Sequence, residues 1–410
     1  MQNINYLYDR NYNCLFMVLY IFNPDTDLAL ANGKSNYTPT EGVRQMISDL
    51  SILPIWYAQP GSYVLAESAE NQDFLEAMSD LFELHIKLLS FSELKSLSDA
   101  STMTDPVEVR PWGWNHSFRD KLVRAGIDRH CLPTDAELDN HRHLSQRNVV
   151  ETMLDLFDGE QGFCGISRNL KDTTSCEQYF HLMKEESGVV FKEPWSSSGK
   201  GLLWCRDVFN DRDRNWCQRV IENEGYVTVM PIYNKVQDFA MEFFVGEATV
   251  SSLGYSLFYT DKGFYKGNTL LSNEEIVSTL AKYVPKALLD KTLQKVGDFL
   301  LQTGYRGCVG VDMMVCHESE GMCIHPCVEI NYRATMGYLA RVLKDHFLAP
   351  EAHGKFMIQH FRAHEELIDF VNFNKKNAPL EIRNSRVRTG FLSLVPVKPD
   401  SLNLAYIDVH

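Results

Sequence analysis

The chain has 410 residues, 44% of them hydrophobic and 23% charged, with 54 acidic side chains against 40 basic ones and a net charge of -14. That length and hydrophobic share exclude a small stapled scaffold and wholesale disorder, and they leave room for two or three domains. The negative charge works against binding to phosphate backbones and anionic lipid surfaces, so neither nucleic acid nor membrane is an expected partner, and any phosphate must be held locally.

No run approaches ~18 consecutive apolar residues, and the apolar stretch from Cys14 to Phe22 lacks a basic leader and a small-residue cleavage site. A cytoplasmic location is expected. Ten cysteines over this length read as reduced, mostly buried thiols, not a disulfide framework. Residues 1-16, polar and rich in Asn and Tyr, read as a non-native or frayed extension.

Along the chain, Met17 to Phe22 forms a buried strand stopped by Asn23-Pro24-Asp25, and a helix runs from Thr40 through Leu50. Helical spacing returns at Phe74, Leu75, Met78, Leu81 and Phe82, a short apolar run spans Ile86 to Leu89, and Ser90 with Glu93 makes a capping box. Alternation of this kind predicts a parallel sheet over 17-144. Thr134 with Glu137 opens another capped helix, and one following Ser145 carries Val149, Val150, Met153, Leu154 and Phe157 on one face. Past a boundary near 145, Ser175 and Gln178 cap a helix, and strands follow at Val189 to Glu193, Leu202 to Arg206 and Tyr226 to Met230. Ala240 to Val245 and Ala248 to Tyr255 read as a hairpin, and a helix starts at Pro285 and stops at Gly304.

The most informative segment is a hairpin of Cys308 to Val315 and Met322 to Asn331. With its turn centred between Glu320 and Gly321, Asp312 falls opposite Glu329, and Asn331 lies on the same side. Two carboxylates opposed across a strand pair repel, so something positive belongs between them. Two carboxylates and an amide oxygen are hard ligands that suit Mg²⁺ or Mn²⁺ together with nucleotide phosphates. Arg333, two residues on, adds the charge a transferring phosphoryl group requires.

A second segment, Lys192-Glu-Pro-Trp-Ser-Ser-Ser-Gly-Lys-Gly201, lies between two strands and offers hydroxyls, pliant backbone N-H groups and two cations. It is not a Walker A loop: Pro194 occupies the place of the first Gly, Gly201 follows Lys200, and a strand comes next.

A Lys-bearing strand, a Ser/Gly loop and a late Asp312...Glu329-Ile-Asn331-Tyr-Arg333 strand pair together resemble the ATP-grasp superfamily over about residues 145-370. The resemblance implies an α/β plus α+β protein: an N-terminal parallel-sheet domain over 17-144, a first ATP-grasp lobe over 145-231, and a second lobe over 232-410 with a basic C-terminal strand extension. It implies an ATP- and Mg²⁺-dependent (or Mn²⁺-dependent) carboxylate-amine ligase of the EC 6.3 kind, acting on small molecules through an acyl phosphate and releasing ADP and phosphate. Lys192 would hold phosphate near the adenine end, and Ser196, Ser197, Ser198, Gly199, Lys200 and Gly201 would fold over the β and γ phosphates. Met230 would lie on the hinge strand and Asp238 at the ribose. Asp312, Glu329 and Asn331 would hold metal, Arg333 would stabilise the transferring phosphoryl group, and Lys266 would make a second phosphate contact. Glu193 is inserted after the lysine, and the hinge Val227-Thr-Val-Met-Pro231 lacks the usual acidic residue. Two rival outcomes are a kinase that stops at phosphoryl transfer and a nucleotide-binding module without chemistry.

Weaker signals have blander readings. Cys316, Cys323, His325 and Cys327 include no C-x-x-C pair, which argues against zinc. Asn23, Asp25 and Asp27 read equally as substrate contacts or as an Asx turn. Trp112 and Trp114 read as packing aromatics, and the basic stretch 371-400 reads as solvated strand edges before it reads as an anion receptor.

Overall fold

The structure, a computed structural model, describes residues 17-99, 107-184, 187-195, 201-261 and 264-410. The extension expected over 1-16 lies outside them. The chain divides into two compact units, one of Met1–Asp139, Lys266–Asn273 and Arg333–His410, the other of Asn140–Tyr265 and Glu274–Tyr332. The lines expected at 145 and 232 are not where these units part, and residues 333-410 fold with the N-terminal unit.

The first unit contains the expected parallel sheet. Strands β1 (Met17–Ile21), β2 (Tyr63–Leu65), β3 (Lys87–Leu89) and β4 (Val107–Pro111) lie in the order β3-β2-β1-β4, all parallel. Leu19, Ile21, Leu65, Leu89, Val107 and Val109 enter one core with Leu94, Leu122 and Ile127 from the segments that follow β3 and β4. Both capping boxes form: Ser90 N-H donates to Glu93 Oε2 and Glu93 N-H to Ser90 Oγ, and Thr134 pairs with Glu137 in the same way. Trp112 is buried edge-on against Phe22 at 5.0 Å, and Trp114 packs against the core, as the packing reading required.

The second unit supplies β5 (Arg168–Leu170), β6 (Val189–Lys192), β7 (Leu202–Cys205) and β8 (Val227–Pro231) in the order β5-β8-β6-β7. Helices Thr173–Met183 and Asp211–Glu224 supply Cys176, Phe180, Cys217 and Val220 to the core under Val189, Phe191, Val227 and Val229. The first of these helices is capped by Asp172, whose carboxylate accepts from Ser175 N-H at 2.8 Å, so the expected Ser175/Gln178 cap is corrected. The helix expected after Ser145 is present from Val149, and Ser145 Oγ donates to His141 O at the end of the preceding helix.

Gly188, which leads into β6, has φ +77, and a Cβ there would lie 2.4 Å from the carbonyl oxygen of Cys205. Backbone on the neighbouring strand cannot step aside as a side chain can. Gly188→Ala is therefore expected to lower unfolding free energy by ~2-4 kcal/mol, read by chemical denaturation.

A second sheet of this unit joins β9 (Lys235–Val245), β10 (Val250–Asp261), β12 (Gly307–Glu318) and β13 (Gly321–Asn331), ordered β13-β12-β9-β10, after β11 (Phe264–Leu270) is set aside. The helix Lys286–Gln302, entered at Pro285, packs against β9 and β10. In the first unit, β11 continues through β14 (Gly354–His360), β17 (Asn403–Val409), β16 (Arg386–Ser393) and β15 (Glu381–Arg383). Three of the basic residues of the C-terminal stretch have local partners. Lys398 Nζ donates to Ser48 O, Arg386 to the carbonyls of Asp345 and Leu348, and Arg388 faces Glu351.

The β12-β13 turn differs from expectation. Glu318 pairs with Gly321, so Ser319 and Glu320 alone make the turn, one residue earlier than the sequence suggested. That register alone would bring Glu329 out of line with Asp312. The ladder slips between Met314↔His325 and Asp312↔Glu329, where one residue of β12 faces three of β13, and the carboxylates come opposite after all. Pro326 lies inside the slip, where its missing N-H removes nothing the ladder needs.

Candidate functional site

Within the second unit, β6 and the β12-β13 hairpin bring charged side chains together. Asp312 and Glu329 are register partners, and Asn331 Nδ2 donates to Asp312 Oδ2 at 3.2 Å, so all three oxygen-bearing groups share one face. The last residue of β6, Lys192, is 7% exposed and its Nζ lies 3.4 Å from Val328 O. Burial, followed by the neighbouring Arg147, lowers the Lys192 pKa to about 8; Glu329 and Asp312 act in the opposite direction. One of the two carboxylates already faces a protein cation that the sequence reading missed. Arg147 Nη2 meets Glu329 Oε1 at 3.0 Å while Nη1 donates to Glu193 O at 2.8 Å.

Arg147 is placed by the chain ahead of the helix Val149–Asp155. Its backbone N-H donates to Pro194 O at 3.0 Å, and Trp195, next along, donates its indole N-H to Arg142 O under the Arg142 guanidinium at 4.3 Å. Segment 142-147 thereby anchors the entry to the Ser/Gly loop. Nothing in hydrophobic periodicity marks a buried arginine just before a helix, which is why pattern reading passed over it. Arg147→Met would strand Glu329 against Asp312. Because Glu329 is 28% exposed, the expected cost is ~1-3 kcal/mol of unfolding free energy, below that of breaking a fully buried pair, as measured by urea titration.

The other expected site residues are dispersed. Ser196, Ser197, Ser198, Gly199 and Lys200 lie outside the described residues. Gly201 closes the loop base with φ +64, its carbonyl accepting from Glu193 N-H at 2.9 Å. Met230 is buried in β8 opposite Val190. Asp238, expected at a ribose, is engaged by Lys235 Nζ at 2.5 Å and by Thr260 Oγ1 at 3.3 Å. Lys266 is exposed on β11 and falls in the first unit. So does Arg333, whose Nε donates to both Asp27 carboxylate oxygens at 3.0 Å and whose Nη2 reaches Asp27 Oδ2 at 2.8 Å. Asp27 is thus an ion-pair partner and not only a turn residue. Asn23 exchanges hydrogen bonds with Gly113, and burial raises the pKa of Asp25.

Among the described residues no group of three His, Cys, Asp or Glu side chains could hold a metal ion. The Asp312, Glu329 and Asn331 set fits a hard divalent ion only in part: two carboxylates and an amide oxygen leave coordination positions that phosphate oxygens would fill. Among the described residues no helix is long and apolar enough to cross a membrane.

Neither a family model nor a curated protein sequence matches the chain. Solved structures do. N5-carboxyaminoimidazole synthetase from Staphylococcus aureus complexed with ADP aligns over 96% of this chain and 94% of its own, at 10% identity and a TM-score of 0.50. The biotin carboxylase domain of Hydrogenobacter thermophilus 2-oxoglutarate carboxylase, solved with MgADP and bicarbonate, aligns over 96% and 85% at 11% identity and 0.49. A protein from Archaeoglobus fulgidus described as a putative ATP-grasp superfamily protein aligns over 84% and 93% at 10% and 0.41. This chain has an ATP-grasp fold. At such identities the likeness carries the architecture alone, and the chemistry must come from the residues: within the ATP-grasp fold, Lys192, Arg147, Asp312, Glu329 and Asn331 form the polar cluster described above.

Proposed function

We propose that the protein is an ATP- and Mg²⁺-dependent carboxylate-amine ligase. The observation that carries the reading is the convergence of Asp312, Glu329 and Asn331 on one face of the hairpin, beside buried Lys192, in a chain with the ATP-grasp fold. Lys192 gives a fixed positive charge for nucleotide phosphate, in surroundings dry enough to strengthen that attraction. Arg147 holds the Glu329 carboxylate and so orients it before any ligand arrives. Asp312, Glu329 and Asn331 would hold the divalent ion, which when bound neutralises charge on the phosphate oxygens. The backbone from Gly201 to Glu193 closes the base of the loop proposed to cover the phosphates.

The reaction assigned to this arrangement moves the γ-phosphoryl group to a substrate carboxylate, and an amine then displaces phosphate to form an amide.

The test is an ADP-release screen over pooled amino acids, peptides and small acids. Release that requires both an acid and an amine supports a ligase. ADP with a stable phosphorylated product and no free phosphate would identify a kinase, and a thermal shift with ATP and Mg²⁺ but no ADP under any condition would leave a binding module.

A further inference from the structure

At the turn end of the hairpin, six residues before Glu329, a second cluster is built from thiols. Cys316 and Cys323 are register partners on β12 and β13, and Cys323 Sγ lies 3.7 Å from Cys316 O. The segment through Cys164 runs alongside β13, with Cys164 N-H donating to Ile324 O and Ile324 N-H to Gly162 O, both at 2.9 Å. This brings the Cys164 thiol within hydrogen-bond reach of both Cys316 and Cys323. Next to them His325 is fully buried, packs edge-on against Tyr233 at 4.9 Å, and has no hydrogen-bond partner at either ring nitrogen among the described residues. Cys164 also lines a groove of about 850 Å³, with Gly165, Tyr233, His317 and Arg206 among its walls. All of these residues belong to the second unit.

We propose that Cys164 and Cys323 are a redox-modifiable pair that closes to a disulfide when hydrogen peroxide enters this groove. The Cys164 thiol is pushed up by its hydrogen bond with Cys316 and then by that with Cys323, while the bond from Cys164 favours the thiolate of Cys323, so the two sulfurs are unequal. The attack falls to Cys323 in this proposal, with peroxide arriving through the groove that Cys164 lines. The Cys323 thiolate attacks one peroxide oxygen, an S-O bond forms as the O-O bond breaks, and hydroxide leaves. The Cys164 thiol gives its proton to that hydroxide, making water, and attacks the sulfenic sulfur; the S-S bond forms, the S-O bond breaks, and the oxygen takes up a proton and departs as a second water. Two thiols and one peroxide become one disulfide and two waters.

Disulfide closure needs the Cβ atoms to approach to roughly 3.8 Å. The segment that must move is bracketed by Gly162 and Gly165, with φ +85 and +128, so the adjustment falls on glycine backbone. Cys316, fully buried on the central strand β12, has no such freedom.

The test treats the full reduced chain with hydrogen peroxide, blocks residual thiols, digests it without reductant and maps linked peptides by mass spectrometry. A Cys164 to Cys323 link in protein that keeps its circular dichroism, reversed by dithiothreitol, is expected. In Cys164→Ser the link should vanish and Cys323 should be trapped as a sulfenic acid by dimedone. A predominant link from Cys316 to either partner, or dimedone labelling without any disulfide in the folded wild type, overturns the assignment. Equal peroxide consumption and labelling by wild type and Cys164→Ser also overturns it.

Discussion

Asp312→Asn is expected to slow ATP turnover about 10²- to 10³-fold while circular dichroism and melting stay those of the wild type. The loss corresponds to ~3-4 kcal/mol of charge stabilisation at the reacting phosphates, the order found when one electrostatic group is removed from a preorganised site. Stability should survive because the substitution keeps the shape and removes one of two like charges opposed across the β12-β13 ladder, a juxtaposition that costs free energy in the fold. Asn331 Nδ2, now 3.2 Å from a carboxylate oxygen, keeps an amide oxygen as acceptor if the new side chain is oriented suitably. Glu329→Gln should lose turnover to a similar degree but also weaken its pairing with Arg147 at 3.0 Å, so its melting temperature should fall as well. Steady-state ADP release read beside thermal melts separates the two effects. Retained turnover in both variants would remove the carboxylates from the site.

Lys192→Met is expected to do the reverse to stability. The buried ammonium, its pKa lowered to about 8, is less easily protonated in the folded chain than in the unfolded one, whose value is near 10.5. Below pH 8 both states carry the charge and the folded state bears the whole burial penalty, up to ~3 kcal/mol for a depression of this size. Between pH 8 and 10.5 the folded lysine is neutral while the unfolded one still binds its proton, so wild-type stability rises with pH through that window. Methionine fills similar space without the charge. The variant should therefore be more stable than wild type at pH 7, and the gap should narrow from pH 8 upward. Nucleotide affinity should be lost in the variant, and in wild type it should weaken above pH 8 as the ammonium loses its proton. Urea titrations across pH and calorimetric ATP titrations test both halves; a variant less stable than wild type at pH 7 contradicts the account of Lys192 as an under-compensated buried cation.

How much of this was legible in the sequence depended on whether a feature is local. Capping boxes at Ser90 and Thr134 were legible because cap and acceptor stand three residues apart. The parallel sheet followed from alternating helix and strand signals. The Asp312-Glu329 pairing came out right through two compensating differences: the turn at Ser319-Glu320 is tighter than expected, and the ladder slips at Pro326 by the same amount. A proline within a strand pattern signals such a slip, and weighing it would have given the register for its actual reason. Long-range pairings were not legible. Arg147 meets Glu329 across 182 residues and Arg333 meets Asp27 across 306, and no spacing rule reaches that far. That Lys235 and Thr260 engage Asp238, expected at a ribose, was not legible either.

The most direct test is electron paramagnetic resonance of Mn²⁺ titrated into the protein with a non-hydrolysable ATP analogue. Wild type should remove the free-ion signal only when the analogue is present, since two carboxylates and an amide need phosphate oxygens to complete the shell, and the Asp312→Asn/Glu329→Gln double variant should leave that signal intact. Undiminished Mn²⁺ uptake by the folded double variant would contradict the assignment of the nucleotide-metal site to this hairpin.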